Sequence, residues 1–185
     1  MTLTRRTFSL GLLAGGTTLA GCGNGIGSNN DATIDARVDE TLQFMYETYP
    51  DTLTLGNKAT GLLVMPLITE VGLGFGGSYG RGALRVNGVT VDYYSAASAS
   101  AGFQIGAQQF AHVLFFMTED ALLDFRRGSG WAAGADIEYA LQDRGRNARA
   151  ATTTTNAPVI AALFGQAGFR LGATLEGTKY TRIIP

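Results

Sequence analysis

Apolar residues recur at helical spacing just after residue 31: Ile34, Val38, Leu42, Met45 and Tyr49. That stripe predicts a helix over residues 32–48, with Asp31 as its N-cap. Its other face carries Asp35, Arg37, Asp39, Glu40 and Glu47, the pattern of a surface helix packed on a sheet. From Gly61 the period changes to two. "GLLVMP" is a short buried strand. "ALRVNGVTVDYY" is a β-hairpin, because Asn87-Gly88 supplies the positive φ angles of a type I′ turn. The pairing expected from that turn sets Val86 opposite Val89 and Leu84 opposite Val91 on one face. Arg85 and Thr90 then meet on the other.

"GFQIGAQQFAHVLFFMT" continues as strands with a bend near Gly106. Thr118 caps a helix "EDALLDFRR", acidic in its first turn and ending in Arg126 and Arg127, as the helix dipole favours. Gly128 is expected as its left-handed stop. "GADIEYALQ" reads as a strand, "DRGRNARAATTTTN" as a polar loop and the fully apolar "PVIAALF" as a central strand. "GQAG" turns the chain into "FRLGATLEG", which alternates with Phe169, Leu171, Ala173 and Leu175 inward. Many short strands between turn signals predict an α+β fold: a glycine-rich, strongly curved or barrel-like antiparallel sheet with a few flanking helices.

Glycine changes this picture most. It accounts for 26 of 185 residues, about twice the usual share of ~7 %. In "GLGFGGSYGRG", Gly72, Gly74 and Gly77 match the spacing of a dinucleotide fingerprint. That fingerprint must open a helix. Here the glycines run into a hairpin, so they are read as sheet geometry, with Phe75 and Tyr79 covering the bare patches. Charge excludes another class. The formal net charge is −1, so there is no basic field for nucleic acid.

The first 22 residues read as an address. Arg5 and Arg6 precede a thirteen-residue apolar run, Phe8 to Ala20, too short to span a bilayer. "TRRTFSL" resembles the twin-arginine export signal, and Leu19-Ala20-Gly21-Cys22 resembles a bacterial lipobox. The expected division is a signal peptide over 1–21, a tether lipidated at Cys22 over 22–32, and one domain over 33–185. Residue 23 is Gly, not Asp, which by resemblance to the sorting rules of enteric bacteria implies the periplasmic face of the outer membrane. Cys22 is the sole cysteine, so no intrachain disulfide is possible.

Catalytic chemistry finds little support in the residues. His112 is the sole histidine and lies in the apolar run "FAHVLFFM", where a core role is expected. A triad would need it, with Ser95 or Ser98 near only in sequence. One His without Cys makes no ordinary zinc site, and neither a metal nor a cofactor is expected. Binding has better candidates. Arg144, Arg146 and Arg149 crowd one polar loop, and Arg126 and Arg127 end a helix. Arginine forks suit phosphate. Arg81 and Arg85 are expected to pair with Asp92 across the hairpin.

"ATGLLVMPLITEVGLGFGGSYGRGALRVNG", "YYSAASASAGFQIGAQQFAHVLFFMTEDALLDF", "GSGWAAGADIE" and "APVIAALFGQAGFRLGATLEGTKYTRI" together resemble the SYLF-domain family of lipid-binding proteins. The resemblance runs from about Thr33 to Ile184. It implies a glycine-rich β-fold with flanking helices, and binding to phospholipid headgroups, chiefly phosphoinositides in eukaryotic members. Some fungal members also bind actin, a partner not expected for an exported bacterial lipoprotein. Eukaryotic members use a basic N-terminal segment at membranes; residues 31–49 here carry one Arg against five Asp and Glu. The expectation is therefore a non-enzymatic phospholipid-binding domain anchored in the envelope. The alternative is an envelope protein that docks another protein and touches the membrane through its acyl anchor alone.

Overall fold

The structure is a computed structural model that describes residues 30–128, 130–134, 137–142, 157–165 and 175–185. Arg5, Arg6, Cys22, the loop with Arg144, Arg146 and Arg149, and the alternating segment 169–174 lie outside the described residues.

The chain opens with α1 (Asn30–Thr48) and a short α2 (Asp51–Lys58). Two long strands follow, β1 (Gly61–Val86) and β2 (Val89–Phe116), then α3 (Glu119–Arg127). Four shorter strands complete the fold: β3 (Trp131–Ala132), β4 (Glu138–Gln142), β5 (Val159–Phe164) and β6 (Lys179–Ile183). The expected α+β class is what the structure has. Strand β2 is the axis of a six-stranded sheet ordered β3-β6-β2-β5-β4, with β1 paired along the other side of β2. β6 pairs with Tyr93–Ala97 of β2, and β5 with Ala111–Phe116. All pairs are antiparallel except β4 with β5, which is parallel.

The glycines explain the shape. A Cβ on Gly82 would strike the carbonyl oxygen of Val64, and one on Gly80 that of Leu67. Both contacts join the two ends of one strand, β1. The strand curls until it touches itself, and only a residue without a side chain fits at the crossing. The Gly72, Gly74 and Gly77 spacing lies inside β1 and opens no helix. Tyr79 is 55 % exposed.

Curling gives the sheet two apolar faces. Leu63, Met65, Leu84, Leu114, Phe116, Ala161 and Leu163 pack inside the curl with Leu122 and Phe125 of α3. The alternate residues Val64, Ala83, Val113, Phe115, Ile160 and Ala162 pack under Ile34, Val38 and Met45 of α1 and Leu55 of α2. Strand β5 is therefore buried at every position, which is why "VIAALF" carries no polar residue.

Local signals hold where they are strong. Asn87 and Gly88 have φ of 51° and 78°, the type I′ turn. Thr118 Oγ1 accepts from Ala121 N at 3.3 Å, capping α3. Three readings need correction. Gly128 is extended, at φ −74° and ψ 140°, not left-handed. Asp31 lies within the first turn of α1, its carboxylate accepting from Ala32 N at 2.7 Å. The hairpin register slips between Leu84 and Arg85, so Leu84 faces Asp92. That bulge displaces Val91, which is exposed while Leu84 is fully buried.

Arg85 does not pair with Asp92. It reaches α1, where Nη2 donates to Asp39 Oδ1 at 2.7 Å and lies 3.6 Å from Asp35 Oδ1. Asp35 also accepts from Thr90 Oγ1 at 2.7 Å and from the Tyr93 hydroxyl at 2.9 Å. Burial, reinforced by the Asp35 acceptor, pushes the Tyr93 phenol up to about 12. This network clamps α1 onto the hairpin. Arg85→Met is expected to lower stability by about 1–2 kcal/mol, since the Arg85 side chain is 14 % exposed but Asp39 stays largely solvated. Urea unfolding checks this; an unchanged midpoint would mean that the apolar contacts alone dock the helix.

Candidate functional site

The clamp divides the polar surface of α1. Asp35 and Asp39 turn towards the hairpin. Arg37, Glu40, Thr41 and Phe44, spaced i, i+3, i+4 and i+7, share another face. That face borders an open groove of about 460 Å³, whose far wall is Pro66 and Leu67 of β1 and Phe164 of β5. A second hollow of about 220 Å³ shares Arg37, Pro66 and Leu67 and continues to Tyr79 and Arg81.

A bulge creates the wall. The pairing steps from Met65↔His112 to Ile68↔Phe110, so Pro66 and Leu67 together oppose one residue, Ala111. Proline suits such a position because it has no N–H to give a ladder. Next to it, Phe44 is 42 % exposed and lies 5.9 Å, ring to ring, from Phe164. One end of the groove is thus aromatic. Arg37 borders both hollows, with Glu40 beside it in the first and Arg81 in the second. Arg37 and Arg81 are exposed, and neither has an ion pair among the described residues. Two uncommitted guanidinium forks beside an apolar wall can hold an anionic group with an apolar tail.

The helix-end arginines have different fates. Arg126 Nε donates to Asp92 Oδ2 at 3.1 Å. Arg182 joins the same carboxylate, Nε to Oδ1 at 3.4 Å, and its Nη2 donates to the Arg126 carbonyl at 3.0 Å. Asp92 therefore serves to close the end of α3 against β6. Arg127 is exposed and has no ion pair among the described residues. Arg144, Arg146 and Arg149 lie outside the described residues, as do Cys22, Arg5 and Arg6.

His112 is fully buried, with Nε2 2.8 Å from the Tyr180 hydroxyl. Its Nδ1 has no partner among the described residues. Burial pulls the ring down to about 3, so it is neutral. The two serines named for a triad are engaged elsewhere: Ser95 Oγ donates to the Thr181 carbonyl at 3.4 Å, and Ser98 Oγ lies 2.7 Å from Ser78 Oγ. No group of three His, Cys, Asp or Glu gathers as metal ligands among the described residues. No described helix is long and apolar enough to cross a membrane.

Sequence reasoning missed the groove. The sequence pattern puts Arg37 and Glu40 on a polar face and gives Phe44 and Pro66 no role. Two signals were available. Phe44 is apolar but lies off the Ile34–Val38–Met45 stripe, and Pro66 interrupts a strand.

Residues 97–182 match the profile of the Ysc84 family, described as Las17-binding protein actin regulator. Over that stretch, 86 of the 185 residues, the chain is similar to the Ysc84/SYLF domain. The match takes in most of β2, α3, β3, β4, β5 and most of β6. It contains Phe164, whereas the α1 and β1 sides of the groove precede it. No curated protein matches the chain in sequence.

Proposed function

We propose that this domain binds phospholipid, with the headgroup phosphate held by Arg37 and Arg81 and the start of the acyl region laid along Leu67, Phe44 and Phe164. The observation that carries this reading is the pairing of two uncommitted arginines with an apolar, partly aromatic wall along two adjoining hollows that share Arg37, Pro66 and Leu67. The Ysc84/SYLF match over residues 97–182 supports it, as a family associated with lipid. Arg127 and the loop arginines Arg144, Arg146 and Arg149 are proposed as further phosphate contacts. Arg126 contributes less, because it holds Asp92. No covalent reaction is proposed. Acylation of Cys22 after twin-arginine export would keep the domain at the periplasmic face of the outer membrane.

The test is vesicle co-sedimentation of the full chain carrying Cys22→Ser, which removes the acyl anchor. Binding to phospholipid vesicles is expected and is expected to weaken with salt, since exposed charges are screened. Arg37→Glu with Arg81→Glu is expected to weaken binding about tenfold or more, equivalent to about 1.4 kcal/mol. Unchanged binding by that double variant would remove the groove from the function; unchanged binding by Arg144→Glu, Arg146→Glu and Arg149→Glu together would remove the loop.

The family description names a protein partner, and this favours a second reading. In it the domain docks an envelope protein and the acyl anchor alone touches lipid. Failure of the Cys22→Ser chain to bind any vesicle would favour this reading. An apolar protein contact would also resist salt.

A further inference from the structure

We propose that Glu40 makes the groove selective for a zwitterionic headgroup of the phosphoethanolamine class, with phosphate on Arg37 and Arg81 and the ammonium on Glu40. This rests on the phospholipid reading above and says which headgroup the groove takes.

The argument starts from the charges that line the hollow. Arg37 and Glu40 line the larger hollow, and Arg37 also lines the smaller, adjoining one with Arg81, so two cations and one anion stand along the pair. Arg37 and Glu40 stand three residues apart on α1, a spacing that sets Cβ atoms about 5–6 Å apart and permits an ion pair. They form none: no pair within 4 Å joins them, and neither side chain is paired elsewhere among the described residues. Glu40 is thus a free carboxylate at the groove, separate from Asp35 and Asp39, which the clamp uses.

A purely anionic headgroup would set its phosphate charge near the Glu40 carboxylate and leave that carboxylate without a partner. Like charges so placed oppose binding. A headgroup that carries an ammonium beyond its phosphate meets both signs in order. The phosphate accepts from the arginine forks, and the ammonium donates to Glu40 in a charge-assisted hydrogen bond. Phe44, one turn on from Glu40, adds an exposed ring whose face attracts a cation. Thr41 lies between them and lines the same hollow. A hollow of about 460 Å³ is of ordinary ligand-site size, with room for a headgroup and the first part of its tails.

The experiment measures binding of soluble dihexanoyl phosphatidylethanolamine and dihexanoyl phosphatidylglycerol to the Cys22→Ser chain by titration calorimetry. The expected result is a preference of about tenfold for the ethanolamine lipid. Glu40→Gln is expected to remove the preference while both lipids still bind. Arg37→Ala is expected to weaken both. Arg37 and Glu40 are both exposed on the surface, so these variants are expected to fold; circular dichroism confirms it. Equal or tighter binding of the glycerol lipid by the unsubstituted groove overturns the selectivity and leaves the phospholipid reading intact. So does a preference that survives Glu40→Gln. Binding of neither lipid overturns both.

Discussion

Gly82→Ala is expected to lower stability by about 3 kcal/mol, the upper range for overpacking a close-packed core. The single added methyl carbon meets the Val64 carbonyl oxygen, with Met65 Sδ at 2.6 Å and Val64 C at 2.9 Å. A flexible side chain could move aside. Backbone here cannot, because Val64 is held in register with Val113, and both are fully buried. Gly80→Ala meets Leu67 backbone in the same way, along with Ile68 Cδ1 at 2.5 Å. Two controls separate crowding from backbone conformation. At Gly134 an added Cβ has nothing within 4 Å among the described residues and φ is not positive, so Gly134→Ala is expected to be nearly neutral. At Gly88 the space is also open but φ is +78°, so Gly88→Ala is expected to cost about 1 kcal/mol in strain. Urea midpoints for the four variants rank these mechanisms. A Gly82→Ala protein within about 0.5 kcal/mol of the unsubstituted chain, the usual scatter for harmless changes, would mean that β1 does not cross itself there.

The same glycines show what a sequence can and cannot reveal about this fold. The Asn87-Gly88 turn, the Thr118 cap and the apolar stripe of α1 are encoded within a few residues, and they were legible. So was the burial of Val159–Phe164, because a run without polar residues has only one place to go. Strand length was not legible. Gly72, Gly74, Gly76, Gly77, Gly80 and Gly82 look like turn signals, yet all lie within one 26-residue strand. Gly80 and Gly82 relieve crowding against residues far away along the curl, and sequence spacing does not show which residues those are. Helix α2 was missed because eight residues containing Gly56 give a weak period. The Leu84–Asp92 slip was missed because an alternating hairpin does not announce its bulge, and one slip exposed Val91.

The site divides in the same way. Arg81, Arg85 and Asp92 are neighbours on the hairpin, so a cross-strand pair was the natural expectation. Tertiary contacts prevailed: Arg85 went to Asp39, 46 residues away, and Asp92 to Arg126 and Arg182. That exchange leaves Arg81 at the groove without a partner among the described residues. The residues that form the hollow come from α1, the β1 bulge and β5, three segments that carry no shared motif. Only the helical spacing of Arg37, Glu40, Thr41 and Phe44 was local, and its meaning depends on what lies across from it.

Acid is expected to destabilise the domain through His112. The folded ring has its proton affinity pulled down to about 3 by burial, against an ordinary 6.5. The unfolded chain therefore takes up the proton first as pH falls. Between these two values the unfolded state binds one more proton than the folded state, so stability falls with pH. The contribution is fully present above 6.5 and is lost progressively down to about 3. Between pH 8 and pH 5 the expected loss is about 2 kcal/mol, at about 1.4 kcal/mol per unit once below 6.5. The physical cause is plain in the surroundings. An imidazolium must donate from both nitrogens; Nε2 has the Tyr180 oxygen, but Nδ1 has no acceptor among the described residues. Phe110 and Tyr180 supply rings about 6 Å away and no negative charge. His112→Gln keeps an amide near the Tyr180 hydroxyl and removes the titration, so its stability is expected to be flat over that range. His112 is the sole histidine, so its ring resonances can be followed directly by NMR. A folded-state titration near 6.5, or a pH slope unchanged in His112→Gln, would show that the ring reaches solvent and that β2 and β6 do not seal it.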